Sequence, residues 1–108
     1  MATARELMEV AAGKITANAE AAKAVGATYK FVLDGDGGGT WVMNLKDEVG
    51  ITESDGAAMC TIKMAAGDYV SMVEGKANGQ QLFFSGKLKI EGDMGLAMKL
   101  QKVMEVMK

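Results

Sequence analysis

The sequence predicts an α+β fold, with a five-stranded, mostly antiparallel sheet and helices packed on one of its faces. Three observations lead there. Residues 3 to about 23 place apolar side chains at helical spacing, and the chain then changes to period-two alternation. The alternating stretches are short and separated by turns rich in Gly, Asp and Ser. Each stretch has one apolar and one more polar face, the pattern of a sheet with helices on one side and water on the other.

In the first helix Ala4, Leu7, Met8, Ala11, Ile15 and Ala22 share an arc, while Arg5, Glu6 and Glu9 point elsewhere. Thr3 and Glu6 have capping-box spacing, and Gly13 is the candidate break within the helix. "TYKFVLD" then alternates Tyr29, Phe31 and Leu33 with Thr28, Lys30 and Val32. "WVMNLKD" alternates Trp41, Met43 and Leu45 with Val42, Asn44 and Lys46, and "DGDGGG" joins the two as a hairpin turn. A weaker strand covers Val49 to Glu53. "AMCTIKM" sets Cys60, Ile62 and Met64 against Thr61 and Lys63. "GDYVSMVEG" predicts a short helix closed by Gly75, and "GQQLFFSG" a further turn of helix. "KLKIEG" is a strand with Leu88 and Ile90 inward, and Asp93 is the N-cap of a last helix. No repeat or linker interrupts the chain, so residues 1–108 are read as one domain.

Composition removes many functions. Lys and Arg number 12 against 14 Asp and Glu, for a net charge of −2, so no basic field holds nucleic acid. Without His, Ser-His-Asp and Cys-His catalysis are excluded, as are most transition-metal sites. Cys60 is alone, which excludes an intrachain disulfide and a thiolate zinc cluster. No apolar run reaches the roughly 20 residues of a membrane span. Arg5, Glu6 and Glu9 do not suit a secretory signal. The sequence is therefore expected to be a soluble intracellular, cytoplasmic protein.

The motifs that invite chemistry fail on inspection. "DGDGGGTWVMNL" opens as a calcium loop does, but Gly38 and Leu45 stand where the fifth and twelfth ligands belong. The same glycines fit neither a P-loop nor a dinucleotide fingerprint. Cys60 lies mid-strand on the apolar face with no base at hand and reads as a small core residue. The carboxylates are scattered, with no pair suited to acid-base work. The expectation is a protein that is not an enzyme and holds no cofactor and no metal.

Ten methionines do stand out, because Met adapts its shape and is used heavily at adaptable binding surfaces. In the last helix Leu96, Leu100, Val103, Met104 and Met107 form one packing arc. Met98 and Val106 are left over, and Gln101 sits at the arc's edge. Two accounts fit this surplus: a core stripe with two exposed apolar residues, or an apolar cavity with Gln101 as its polar handle.

"CTIKM", "FFSGKLKI" and above all "GDMGLAMKLQ" resemble the sterol carrier protein type 2 family, whose animal members carry nearly the same runs in the same order. "GTWVMNLKD" is also similar to the family's second strand, and the likeness covers roughly residues 28 to 104. The resemblance implies a sheet of five strands under helices, with a hydrophobic tunnel closed in part by the C-terminal helix. It implies loosely selective binding of fatty acids, acyl-CoAs, sterols, phospholipids and other lipids, their transfer, and transient contact with a membrane surface. Carried over by position, the wall comprises Phe31, Trp41, Met43, Met72, Phe83, Phe84, Met94, Met98 and Met104, with Gln101 near the head group. Two departures stand beside it. Ala77-Asn78-Gly79-Gln80 replaces the family's M-N-P-Q, so that connection is expected to be looser. The ending Val106-Met107-Lys108 is not a peroxisomal S-K-L-like tripeptide, although the family allows a peroxisomal address. The other reading is an interaction or dimerisation module that uses the apolar last helix.

Overall fold

The computed structural model describes residues 3–97 and 99 of the chain. Helix α1 runs from Ala4 to Ala17. Its start is the predicted capping box: the Glu6 amide donates to Thr3 Oγ1 at 3.2 Å, and the Thr3 amide donates to the Glu6 carboxylate at 3.3 Å. Ala4, Met8, Ala11 and Ile15 form its buried stripe. The break falls at Asn18 instead of Gly13, which stays inside the helix. A glycine in a helix interior costs about 1 kcal/mol but forces no end. Asn18 supplies one, because its side-chain amide and its backbone N–H both donate to the Lys14 carbonyl. A short helix α2, Ala19–Lys23, follows.

Strands β1 (Ala27–Asp34) and β2 (Gly39–Leu45) make the expected hairpin, with Leu33 opposite Gly39. The turn glycines have a steric reason: a Cβ on Gly38 would lie 2.1 Å from the Leu33 carbonyl oxygen. Strand β2 begins earlier and ends sooner than alternation suggested. After Leu45, the Asn44 side-chain oxygen accepts from the amides of Lys46 and Asp47 and turns the chain. Strand β3 is Gly50–Glu53 and β4 is Cys60–Ala65. Helix α3 (Ala66–Val73) closes as predicted at Gly75: the Gly75 and Lys76 amides donate back to the Met72 and Ser71 carbonyls. Helix α4 is Gly79–Phe84. The connection that lacks proline is tied by Asn78, whose side chain accepts from the Gln80 amide at 2.8 Å. Strand β5 (Lys89–Gly92) leads to α5 (Met94–Ala97), where Asp93 Oδ1 accepts from the Gly95 amide at 2.8 Å.

The sheet has five strands in the order β3-β2-β1-β4-β5. Every neighbouring pair is antiparallel except β1 and β4, which are parallel. Alternation holds along its centre: Tyr29, Phe31, Leu33, Trp41, Met43, Leu45, Cys60, Ile62 and Met64 are all buried on one face. The opposite face is not left wholly to water, as alternation alone suggested. Residues 54–59 connect β3 to β4 and cross that face. Lys30 pairs with Asp55, a Cβ on Gly56 would lie 3.7 Å from Val42, and the Met59 amide donates to Thr28 Oγ1 at 2.9 Å.

Gly92 joins β5 to α5 at φ 98°, and a Cβ there would sit 2.7 Å from the Met59 carbonyl oxygen. Gly92→Ala is expected to cost about 1–3 kcal/mol through backbone strain and that clash, read as a lower urea midpoint with unchanged slope.

Candidate functional site

The candidate site is the inner face of the sheet and the helical layer over it. Register assembles the face in rows. Ile51, Met43, Tyr29, Cys60 and Gly92 lie side by side across the five strands. The next row on this face is Glu53, Trp41, Phe31, Ile62 and Ile90. Every member of the second row except Glu53 is apolar, and Glu53 stands at the sheet edge.

Three contacts hold the helices to these rows. At the β3 edge Arg5 of α1 reaches Glu53 with both guanidinium nitrogens, Nη2 to Oε2 at 2.8 Å, and lies 5.6 Å from the centre of the Trp41 ring. The Arg5 guanidinium holds the Glu53 carboxyl below its usual range. In the middle, Tyr69 of α3 meets Phe31 edge-on with ring centres 5.9 Å apart. Its buried hydroxyl is 3.5 Å from the sulfur of Met8, joining α3 to α1 through a weak acceptor. At the far end the Tyr29 hydroxyl donates to the Leu96 carbonyl of α5 at 2.8 Å. Burial first, then the nearby Cys60 and Asp93, push the Tyr29 phenol up to about 12, and burial raises Tyr69 as well. Both phenols stay neutral donors at physiological pH.

Burial and then Asp93 push the Cys60 thiol up, away from thiolate. Asp47 and Asp55 are exposed carboxylates held low by Asn44 and Lys30, ordinary surface acids. Among the described residues no buried side-chain nitrogen or oxygen lacks a partner.

The residues singled out by the family resemblance fall into three groups. Phe31, Trp41 and Met43 are brought together as neighbours on β1 and β2, with Phe31 directly opposite Trp41. Trp41 lies toward α1: its ring covers Gly39, where a Cβ would be 2.9 Å away. Met72 is buried on α3, its sulfur 3.2 Å from where a Gly79 Cβ would stand. Phe83, Phe84 and Met94 are not gathered under the helices; they are 38%, 75% and 52% exposed. Met98, Gln101 and Met104 lie outside the described residues, as do Leu100, Val103, Val106 and Met107 of the predicted packing arc. Sequence reasoning missed the Arg5 clamp and both tyrosine hydroxyls. A tyrosine within an apolar stripe does signal that its hydroxyl needs a buried partner, but spacing does not say which.

A helix-covered sheet of order β3-β2-β1-β4-β5 with an apolar inner face is the sterol-carrier type of α+β fold. Sterol carrier protein 2 from Yarrowia lipolytica in its apo form superposes with a TM-score of 0.81 at 25% identity, over 94% of this chain and 88% of that one. Human sterol carrier protein 2 is 49% identical over 86 residues, and Xenopus laevis hydroxysteroid dehydrogenase-like protein 2 is 43% identical over 90. These alignments take 75% and 81% of this chain but only 16% and 22% of the relatives' own lengths. The family model of the SCP-2 sterol transfer family matches residues 4–105, and the chain belongs to that family.

The Tyr29 contact has a pH signature. Its phenol ionises at about 12 in the folded chain against 10.0 when free, so its share of stability is complete below 10.0 and lost as pH rises through about 12. Tyr29→Phe should cost about 1–3 kcal/mol at neutral pH by leaving the Leu96 carbonyl without its donor. It should also flatten the alkaline loss of stability in denaturant unfolding, with Tyr69 supplying the remainder. An unchanged alkaline slope would remove Tyr29 from that role.

Proposed function

We propose that this chain is an intracellular lipid-binding and lipid-transfer module that works without catalysis. Its ligands are fatty acids, fatty acyl-CoAs, sterols or phospholipids, held in a tunnel between the sheet and the C-terminal helix. The observation that carries the reading is the inner face: rows across the five strands that are apolar apart from Glu53 at the β3 edge, under helices, within a chain of the sterol transfer family. Such a face offers a lipid chain apolar contact and asks for little polar pairing in return. Phe31, Trp41 and Met43 are assigned to the floor, and Met72 of α3 to the helical side facing it. Phe83, Phe84 and Met94, all more exposed, are assigned to the rim. Met98 and Met104 are assigned to the wall, and Gln101 to the head group, through the family pattern. The Cys60 thiol, pushed up by burial and away from thiolate, favours binding over catalysis.

Long acyl chains are expected to bind and short ones to fail. Each buried CH₂ contributes about 0.8 kcal/mol, so a chain of about 16 carbons gains on the order of 12 kcal/mol gross. Ordering the ligand and its loss of free motion remove about half of that or more. About 6 kcal/mol at most remains for long chains, an affinity of roughly tens of micromolar, and almost none for chains of about 6 carbons. Calorimetric titration across chain lengths tests this, and affinity independent of length would refute the tunnel. Native mass spectrometry separates the other reading: co-purifying lipid supports the carrier, whereas a bare dimer supports an interaction module using the last helix.

Gln101→Ala addresses the head group. Losing one hydrogen bond of roughly 0.5–3 kcal/mol should weaken fatty acid binding several-fold and leave an alkane of equal length nearly unaffected. Equal weakening of both ligands would show that Gln101 shapes the tunnel without reading the head group.

A further inference from the structure

Two phenol hydroxyls lie between the sheet and its helices, and their partners differ in strength. The Tyr29 hydroxyl donates to a peptide carbonyl, that of Leu96, at 2.8 Å. Among the described residues the Tyr69 hydroxyl donates only to the Met8 sulfur, at 3.5 Å, and nothing donates to its oxygen. Both tyrosines are fully buried, and burial raises the Tyr69 phenol, so it remains a donor. Among the described residues no Ser, Thr, Asn, Gln or charged side chain is buried. An oxygen carried into this interior by a ligand therefore finds Tyr69 as the least engaged hydroxyl.

The surroundings of this hydroxyl are apolar and adaptable. The Tyr69 ring meets Phe31 of β1 edge-on with centres 5.9 Å apart, and Met72 lies about one turn further along α3. Phe31 and Met72 are both assigned above to ligand contact, so the hydroxyl stands beside the proposed path of the lipid. The group that occupies it, Met8, is unbranched with three rotatable bonds and swings aside at lower cost than a branched residue. A hydroxyl or keto oxygen is a stronger acceptor for the phenol proton than a thioether sulfur, which favours the exchange. A plain acyl chain offers no such atom and leaves the Tyr69–Met8 contact in place.

We infer that the Tyr69 hydroxyl is a specificity-determining contact that favours lipids carrying a neutral oxygen, hydroxyl or keto, within their apolar skeleton. The inference rests on the carrier reading and deepens it by naming a ligand class. The test is calorimetric titration of the delipidated full chain with stearic acid and with monohydroxystearic acids bearing the hydroxyl at successive mid-chain carbons. Tyr69→Phe keeps the ring against Phe31 and should weaken at least one hydroxylated isomer about three- to tenfold, while stearic acid changes by less than about twofold. Met8→Leu removes the competing sulfur, so the affinity of that isomer relative to stearic acid should rise, and adding Tyr69→Phe should abolish the rise. The ratio within each variant cancels packing changes common to both ligands. Equal losses for stearic acid and every isomer in Tyr69→Phe would overturn the inference. So would no change for any isomer, or a Met8→Leu ratio that stays at the wild-type value; the latter decides by itself if Tyr69→Phe does not fold. Absence of stearic acid binding to the wild type would defeat the carrier reading and this inference with it, whereas stearic acid binding with no isomer dependent on Tyr69 would overturn this inference alone.

Discussion

Strand β1 lies between an antiparallel neighbour and a parallel one, and the parallel neighbour decides how the rest of the chain travels. Strands β1, β2 and β3 follow one another by turns and end at an edge. For β4 to lie parallel to β1, on its other side, the chain must first pass back over β2 and β1. Residues 54–59 make that passage on the outer face, with Asp55 paired to Lys30 and the Met59 amide bound to Thr28. The inner face is thereby left for helices alone. Helix α3 enters it directly from the end of β4, α1 covers the β3 side, and α5 returns to it after β5.

That division explains the unequal character of the two faces. On the outer face the connections are polar and local in strength: exposed ion pairs such as Lys63 with Glu91 contribute little by themselves. On the inner face burial dominates, and the few polar groups present are satisfied one by one. Tyr29 finds the Leu96 carbonyl, and Glu53, placed on this face by its register opposite Trp41, finds Arg5 at the edge. A buried hydroxyl without a partner would cost more than its bond returns, so each of these pairings fixes a helix as well as filling a valence.

Much of this was legible in the sequence, because period-two alternation reports burial directly. Tyr29, Phe31 and Leu33, and Cys60, Ile62 and Met64, alternate as read and are buried as read. Caps were legible too: Thr3 with Glu6, Gly75, and Asp93 each act through backbone groups a few residues away. What escaped depends on distant partners. Asn18 ends α1 by competing for the Lys14 carbonyl, a contest that composition does not rank against Gly13. The cover on the outer face follows from strand order, and strand order is set by pairing between residues far apart in sequence. The candidate site divides in the same way. Phe31, Trp41, Met43 and Met72 lie buried in or under the inner face, whereas Phe83, Phe84 and Met94 are exposed despite their place in the family pattern.

A sheet face this fully covered raises the question of how a carrier would admit a ligand at all. Side-chain type bears on the answer. Met8, Met43, Met64 and Met72 are all buried, and they are distributed over both layers, with Met8 and Met72 on α1 and α3 and the others on β2 and β4. Methionine has no branched carbon and three rotatable bonds, so it changes shape at lower cost than Ile or Val in the same place. The contacts above it are also unequal. Inter-strand ladders hold the sheet, whereas Tyr69 joins α3 to α1 through a thioether, and the Arg5–Glu53 pair is open to solvent. Opening a path beside α1 and α3 therefore breaks weak contacts and leaves the ladders and the Tyr29–Leu96 bond intact. In the proposed carrier role, shape then yields in the methionine-bearing helical layer over a sheet that keeps its register, which favours loose selectivity among ligands of similar apolar volume.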